Sequence, residues 1–226
     1  MTRGRSADVL VRGQTLTLHP ERAVYWERAR TLIVADTHFG KAATFRAHGL
    51  PVPVGTTTAA LQRLDAVLTR TRAERLLFLG DFLHARAGRA AATLAALEQW
   101  RFRHGRIEMV LVRGNHDREA GDPPAALGIE CVDEPMIEAP FVFAHHPAES
   151  TFGYVIAGHV HPGITLWGRA RMRERLPCFW FGRATAVLPA FGEFTGSAQV
   201  TPTAGDGVYV IAGDDVLSID GVADGR

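Results

Sequence analysis

The chain is poor in cysteine, nearly free of lysine and without a long apolar run. Its two cysteines, Cys131 and Cys178, stand 47 positions apart with no CxxC spacing, which excludes a disulfide framework, a zinc knuckle and a thioredoxin-like redox pair. Both read as buried, reduced thiols. Lys41 is the only lysine among 25 basic residues, so the formal net charge of +1 rests on guanidinium groups. Such forks grip phosphate or carboxylate through two parallel hydrogen bonds, but a GC-rich genome produces the same bias, which therefore assigns nothing by itself. No apolar stretch approaches the roughly 18 residues that span a bilayer, and "MTRGRSADVLVRG" has no apolar core of a signal peptide. A soluble, cytoplasmic protein that does not meet the membrane is the expectation. There is no repeat, low-complexity tract or linker either, and 226 residues suit a single domain able to bury its core without covalent staples.

What is present is a series of short apolar runs ending in polar clusters: "TLIVADTH", "RLLFLGDFLH", "IEMVLVRGNHD", "FVFAHH" and "YVIAGHVH". Runs of this length, rich in Val, Ile, Leu and Phe, read as strands buried on both faces. Helix-like segments at 55–71 and 88–105 separate the first three; in the earlier one Leu61, Leu64 and Leu68 share a face, and Thr56 to Thr58 offer N-cap hydroxyls. The alternation predicts an α/β layered fold. Strand-like segments without helices lie near both ends, and the simplest arrangement is two face-to-face sheets with helices outside, the terminal strands all completing the second sheet.

Each run delivers metal-capable residues where ligands bind in open α/β sheets, at the carboxyl end of the strand. Asp36 and His38 follow the first, Asp81 and His84 the second, Asn115, His116 and Asp117 the third, His145 and His146 the fourth, His159 and His161 the fifth. Seven of the ten histidines fall in these segments. In extended chain residues i and i+2 point the same way, so Asp36 with His38, and His159 with His161, can each aim two donors at one point. Imidazole and carboxylate donors together suit manganese, iron or zinc, whereas calcium asks for oxygen almost alone. Any one motif alone is as readily a hydrogen-bonded turn.

The ordered set D-x-H, GD, GNHD, H and GHVH across residues 36–161 resembles the calcineurin-like metallophosphoesterases. "ADTHFGKAATFRAHGLPVPVGTTTAALQRL", "LPCFWF" and "LPAFGEFTG" are similar to a narrower group, the bacterial DNA-ligase-associated metallophosphoesterases. The resemblance implies a four-layer α/β/β/α sandwich of two mixed sheets flanked by helices. It implies two divalent cations, manganese first with iron or zinc as alternatives, bridged by Asp81. Asp36, His38 and His161 would complete one site and Asn115, His145 and His159 the other, with His146, the rival of His145, left to contact substrate. His116 would face the substrate, and Asp117 would either orient its imidazole or cap the following turn. His84 would touch substrate or water, or be structural.

For substrate grip the candidates are Lys41, Arg46, Arg113 and Arg118, together with Arg169, Arg171, Arg173 and Arg175 at period two; the bland alternative for each is a solvated surface charge. The function implied is a phosphodiesterase, a DNA endonuclease acting on single-stranded or damaged DNA in repair beside an ATP-dependent ligase, a helicase and an exonuclease. The alternatives are a phosphomonoesterase or a nucleotide or cyclic-nucleotide phosphodiesterase, and, from another class, a DNA- or ligase-binding scaffold without catalysis.

Overall fold

The first apolar run forms β4 (Thr31–Ala35), buried along its whole length, in a computed structural model that describes residues 5–53, 55–167 and 173–219. Period two explains the unbroken apolar run: Ile33 and Ala35 enter the core between two sheets, while Leu32 and Val34 pack beneath helices. The next strands, β5 (Arg75–Leu79) and β6 (Glu108–Val112), divide in the same way. Both run parallel to β4 with Ala35, Leu79 and Val112 level, and β7 (Glu130–Val132) adds a further parallel strand. The residues after β4, β5 and β6 therefore emerge side by side at one edge.

The helices connect these parallel strands: α1 (Lys41–Ala47), α2 (Thr56–Thr71), α3 (Ala91–Arg103) and α4 (Asn115–Ala120). Leu61, Leu64 and Leu68 of α2 are buried as their spacing predicts, and removing most of the fully buried Leu64 side chain would cost about 2–5 kcal/mol. The threonine cap does not form. Gly55, at φ 84°, occupies the cap position, and Thr57 Oγ1 instead accepts the Gly40 N–H at 3.4 Å. The segment expected to be helical from residue 88 begins as a 3₁₀ turn, Arg86–Arg89, before α3.

The N-terminal strands correct one expectation. β1 (Ala7–Val11), β2 (Gln14–His19) and β3 (Ala23–Trp26) form an antiparallel meander that runs into β4, so they belong to the first sheet. Short hairpin turns make each strand pair with its chain neighbour, which fixes them there before any distant edge can compete. Only the C-terminal strands complete the second sheet. That sheet contains β8 (Met136–Glu138), β9 (Phe141–Phe143), β10 (Tyr154–Ala157), β11 (Pro162–Trp167), β12 (Arg173–Phe181), β13 (Thr185–Val187), β14 (Ala198–Gln199), β15 (Gly207–Ala212) and β16 (Asp215–Ser218). β9, β10 and β13 are parallel neighbours, and most of the remaining pairs are antiparallel. Both sheets are mixed, and helices flank the pair. Among the described residues the α-helices lie in the chain between β4 and β7.

Candidate metal centre

Five loops converge where the parallel strands end. The loops after β4 and β5 are tied together by His38 N–H to Asp81 O and Phe39 N–H to Phe82 O, both 2.8 Å. The turn into α4 is held by Asp117, whose buried carboxylate accepts the backbone N–H groups of Asp81 (2.7 Å), Phe82 (2.9 Å) and Gly114 (2.9 Å). Asp117 is thus the clamp that fixes the Asp81 and Asn115 loops against each other. It does not orient His116: that imidazole is bonded through Nδ1 to the His84 carbonyl at 2.7 Å. The His84 and His116 rings stack, centroids 5.1 Å apart.

The backbone here is unusual. Among the described residues ten non-glycines have positive φ, and five of them are Asp36 (52°), His38 (44°), Asp81 (51°), His159 (68°) and His161 (52°). Each such position costs on the order of 1 kcal/mol or more and persists only where the surroundings impose it. The donors converge through this left-handed alternation and not, as expected, through extended chain with i and i+2 aligned. Two glycines permit the approach. A Cβ at Gly158 would lie 2.5 Å from Asp36 Oδ2, and one at Gly114 would lie 2.8 Å from Asp81 N.

Two donor groups share Asp36. Asp36, His38 and His161 form one set, and Asp36, Asp81 and His145 another, the atoms of each lying within 4.8 Å of one another; His145, His146 and His159 form a third. His159 and His161 therefore serve different sets. His145 Nδ1 lies 3.2 Å from the Leu79 carbonyl and donates to it, which leaves the lone pair on Nε2. That Nε2 faces Asn115 Oδ1 at 2.9 Å, His159 Nδ1 at 3.0 Å and Asp81 Oδ1 at 3.5 Å. Likewise His161 Nδ1 is bonded to Gly196 O at 3.2 Å, and its Nε2 points at Asp36 Oδ1 at 3.4 Å. Asp36 Oδ1 and His161 Nε2 are buried without a hydrogen-bond partner. Lone pairs facing lone pairs in a buried place are what a cation resolves, and this N/O donor set fits manganese, iron or zinc.

Electrostatics agree with that fit. Burial, with Lys41 and the neighbouring imidazoles, pushes His38 down to about 2. Burial also lowers His145 and His159, and burial with Lys41 and His116 takes His84 to about 4. These rings are neutral at pH 7, the form that binds metal. For His161 burial pulls down, but the Asp36 carboxylate facing it outweighs burial and raises the value. Asp81 is raised by burial and by Asp36 beside it.

The remaining predicted residues divide clearly. His145 is wholly buried in the cluster, whereas His146 is partly exposed and held by Glu134 through Nδ1 at 2.8 Å, its ring 4.3 Å from that of His159. Lys41 lies half-buried beside the site, where burial lowers its pKa against the pull of Asp81 and Asp36. Three of the arginines expected to grip phosphate are engaged by the protein itself. Arg46 Nη1 donates to Pro53 O at 2.9 Å, Arg113 forks onto Asp122 at 2.7 and 2.8 Å, and Arg118 lies 3.8 Å from Glu134. Arg169 and Arg171 lie outside the described residues; Arg173 and Arg175 are exposed on β12. Sequence reasoning missed Glu134, which accepts the N–H groups of His145 (2.9 Å) and His146 (3.0 Å), and the segment 190–196 that braces Asp36 and His161. Both act across long separations in the chain and carry no local pattern.

Two mixed sheets with this donor set at their common edge define a metallophosphoesterase, and residues 29–152 match the calcineurin-like phosphoesterase family, to which the chain belongs. Among solved structures it is similar to the Pseudomonas putida nuclease MPE, with 46% identity and a TM-score of 0.84 over 95% of this chain and 100% of that one. A phosphoesterase from E. coli, Yfce, is far more distant, at 14% identity and a TM-score of 0.39 over 81% and 88% of the two chains. No curated protein sequence matches. The chain is a phosphoesterase, a hydrolase with a group of residues able to bind metal, and among the described residues no helix is long and apolar enough to cross a membrane.

Proposed function

We propose that the whole chain works as one metallophosphoesterase domain that cleaves DNA phosphodiesters with two divalent cations, as a cytoplasmic endonuclease of the ligase-associated group. The observation that carries the reading is the convergence of candidate ligand atoms on Asp36 and Asp81, with Asp36 Oδ1 and His161 Nε2 buried and unpaired, together with the likeness to a nuclease over nearly the full chain. Asp36, His38, His161 and Asp81 would hold one cation, and Asn115, His145, His159 and Asp81 the other, manganese being the first choice. Such a pair supplies Lewis acidity to the phosphoryl oxygens and a nucleophile at neutral pH.

The side chains do the rest. Asp81 is shared because its two carboxylate oxygens face different histidines, Oδ1 toward His145 and Oδ2 toward His38. His116, fixed through Nδ1 by the His84 carbonyl, keeps Nε2 toward the site, where it can hold a proton for the leaving alkoxide. Its backbone N–H donates to Asp81 Oδ1 at 3.0 Å, so the general acid and the shared carboxylate move as one unit. Lys41 brings the positive charge that faces an incoming phosphate, and His84 and His146 line the approach. Association with an ATP-dependent ligase, a helicase and an exonuclease follows from the group the chain is similar to.

Hydrolysis of single-stranded DNA, a bis-aryl phosphodiester and an aryl phosphate monoester by one preparation with manganese tests the reading. Diester cleavage that EDTA and Asp81→Ala abolish is expected; a monoester rate well above both diesters would favour a phosphomonoesterase instead.

A further inference from the structure

We propose that the polar hollow beside His161 binds the phosphodiester next to the one being cleaved, with Arg22 and Arg175 as its cationic walls; this rests on the reading of the chain as a DNA nuclease. The hollow measures about 200 Å³ and is bounded by Arg22, His161, Arg175, Thr195, Gly196 and Ser197. It is smaller than the roughly 300 Å³ at which pockets begin to take whole small molecules. One phosphate group with its ester oxygens suits that space.

Three features make the hollow an anion site. Arg22, in the turn between β2 and β3, is fixed by two bonds from Nη1, to Ala190 O and Gly192 O, both 3.2 Å. Among the described residues its other guanidinium nitrogens make no hydrogen bond. Arg175, exposed on β12 opposite Thr165, forms no hydrogen bond or ion pair among the described residues, unlike Arg113. Among the described residues no Asp or Glu lines the hollow, and Glu193, whose charge reaches Arg22, is paired with Arg63 at 3.2 Å.

Position gives the anion its identity. His161 is a wall of the hollow and, through Nε2, a member of the candidate metal centre. An anion held there sits one side chain away from the reacting phosphate, the relation that neighbouring phosphates have along a strand. A basic groove that tracks the backbone is the usual way single strands are held without reading sequence. A monoester or a bis-aryl diester carries one phosphate and cannot fill both places, so the hollow selects polynucleotide over small ester.

The test is binding of a 5′-fluorescein-labelled oligothymidylate to EDTA-treated wild-type protein, Arg175→Ala, Arg175→Lys and Arg30→Ala, followed by anisotropy across a salt series. Arg30 is an exposed arginine paired with Glu74, so its loss changes net charge equally, away from the hollow. Arg175→Ala is expected to weaken binding about 5- to 10-fold, as the loss of one charge-assisted contact does. The slope of log K against log salt should fall by about 0.7, Arg175→Lys should recover part of both, and Arg30→Ala should change neither. In manganese the same variant should raise KM for DNA and leave bis-p-nitrophenyl phosphate turnover unchanged. Unaltered affinity and slope in Arg175→Ala, an equal loss in Arg30→Ala, or no DNA binding by wild type would each overturn the proposal. Binding that depends on Arg175 without cleavage of the DNA would leave the hollow standing and overturn the nuclease reading instead.

Discussion

Asp65 and Asp36 both sit among imidazoles, yet only one of them builds a metal centre. On α2, Asp65 Oδ1 accepts the Trp100 Nε1–H at 2.6 Å and meets His104 Nε2 at 2.6 Å, while Oδ2 meets Arg103 Nη2 at 3.4 Å. Every acceptor there faces a donor. Around Asp36 and Asp81 the match is incomplete: Asp36 Oδ1 and His161 Nε2 face each other, buried with no partner. Closeness of carboxylate and histidine is common to both clusters. The mismatch separates them, because a buried unmatched lone pair costs on the order of 1–3 kcal/mol unless something supplies positive charge.

The largest expected effect breaks the mismatched cluster. Asp81→Asn should lower metal-dependent diester hydrolysis by more than about 100-fold, beyond the 10–100-fold that residues merely supporting ligands cost. The same change removes the repulsion between Asp81 and Asp36, so metal-free protein should unfold at no lower urea concentration than wild type. Activity within tenfold of wild type would sink the assignment. Asp117→Ala comes next. It deletes the acceptor of three backbone N–H groups and should cost roughly 10–100-fold in manganese affinity by equilibrium dialysis. Arg113→Ala should do neither, since its fork is spent on Asp122.

These contrasts mark the limit of what the sequence can convey. The five strand-end motifs were legible because an apolar run followed by Asp, Asn or His is a local pattern, and parallel strands in register carry that pattern to one edge. The helix face of Leu61, Leu64 and Leu68 was legible for the same reason. The grip of Asp117 on Asp81 and Phe82, about 35 positions away, was not, and neither was the Leu79 carbonyl that sets the tautomer of His145. Arg46, Arg113 and Arg118 were candidate phosphate contacts by proximity in the chain, but carbonyls and carboxylates closer in space claim them. The placement of the N-terminal strands in the first sheet was hidden because strand pattern is silent about which edge a hairpin joins.

Asp65→Ala sharpens the comparison from the matched side. It leaves the largely buried Trp100 Nε1–H without its acceptor and should cost about 3 kcal/mol of stability by urea unfolding. Metal-dependent turnover at 25 °C should stay within twofold of wild type. A loss of turnover comparable to that of Asp81→Asn would show that the two clusters are not independent.

His19 asks whether an unpaired imidazole nitrogen is enough to mark a site. Its ring is buried and Nε2 has no partner, as for His161. What faces it differs: Arg70 Nη2 lies 3.4 Å from its Nδ1, so positive charge is already there and no cation is invited. Burial, then Arg70, holds its pKa down to about 4 against the opposing charges of Glu21 and Asp8. The unfolded chain titrates near 6.5, so between the two values the native state binds fewer protons than the unfolded one. The contribution is therefore complete above pH 6.5 and is lost as pH falls toward 4. Between pH 7 and pH 5 the loss amounts to about 2 kcal/mol. Urea unfolding of EDTA-treated wild type and His19→Gln at both pH values isolates it, because the acid sensitivity of His38 and His84 is common to the two proteins. Equal loss of stability in both would mean that His19 is solvated and protonated in the native state, and an unmatched nitrogen would then say less about function than the facing carboxylates of the metal centre do.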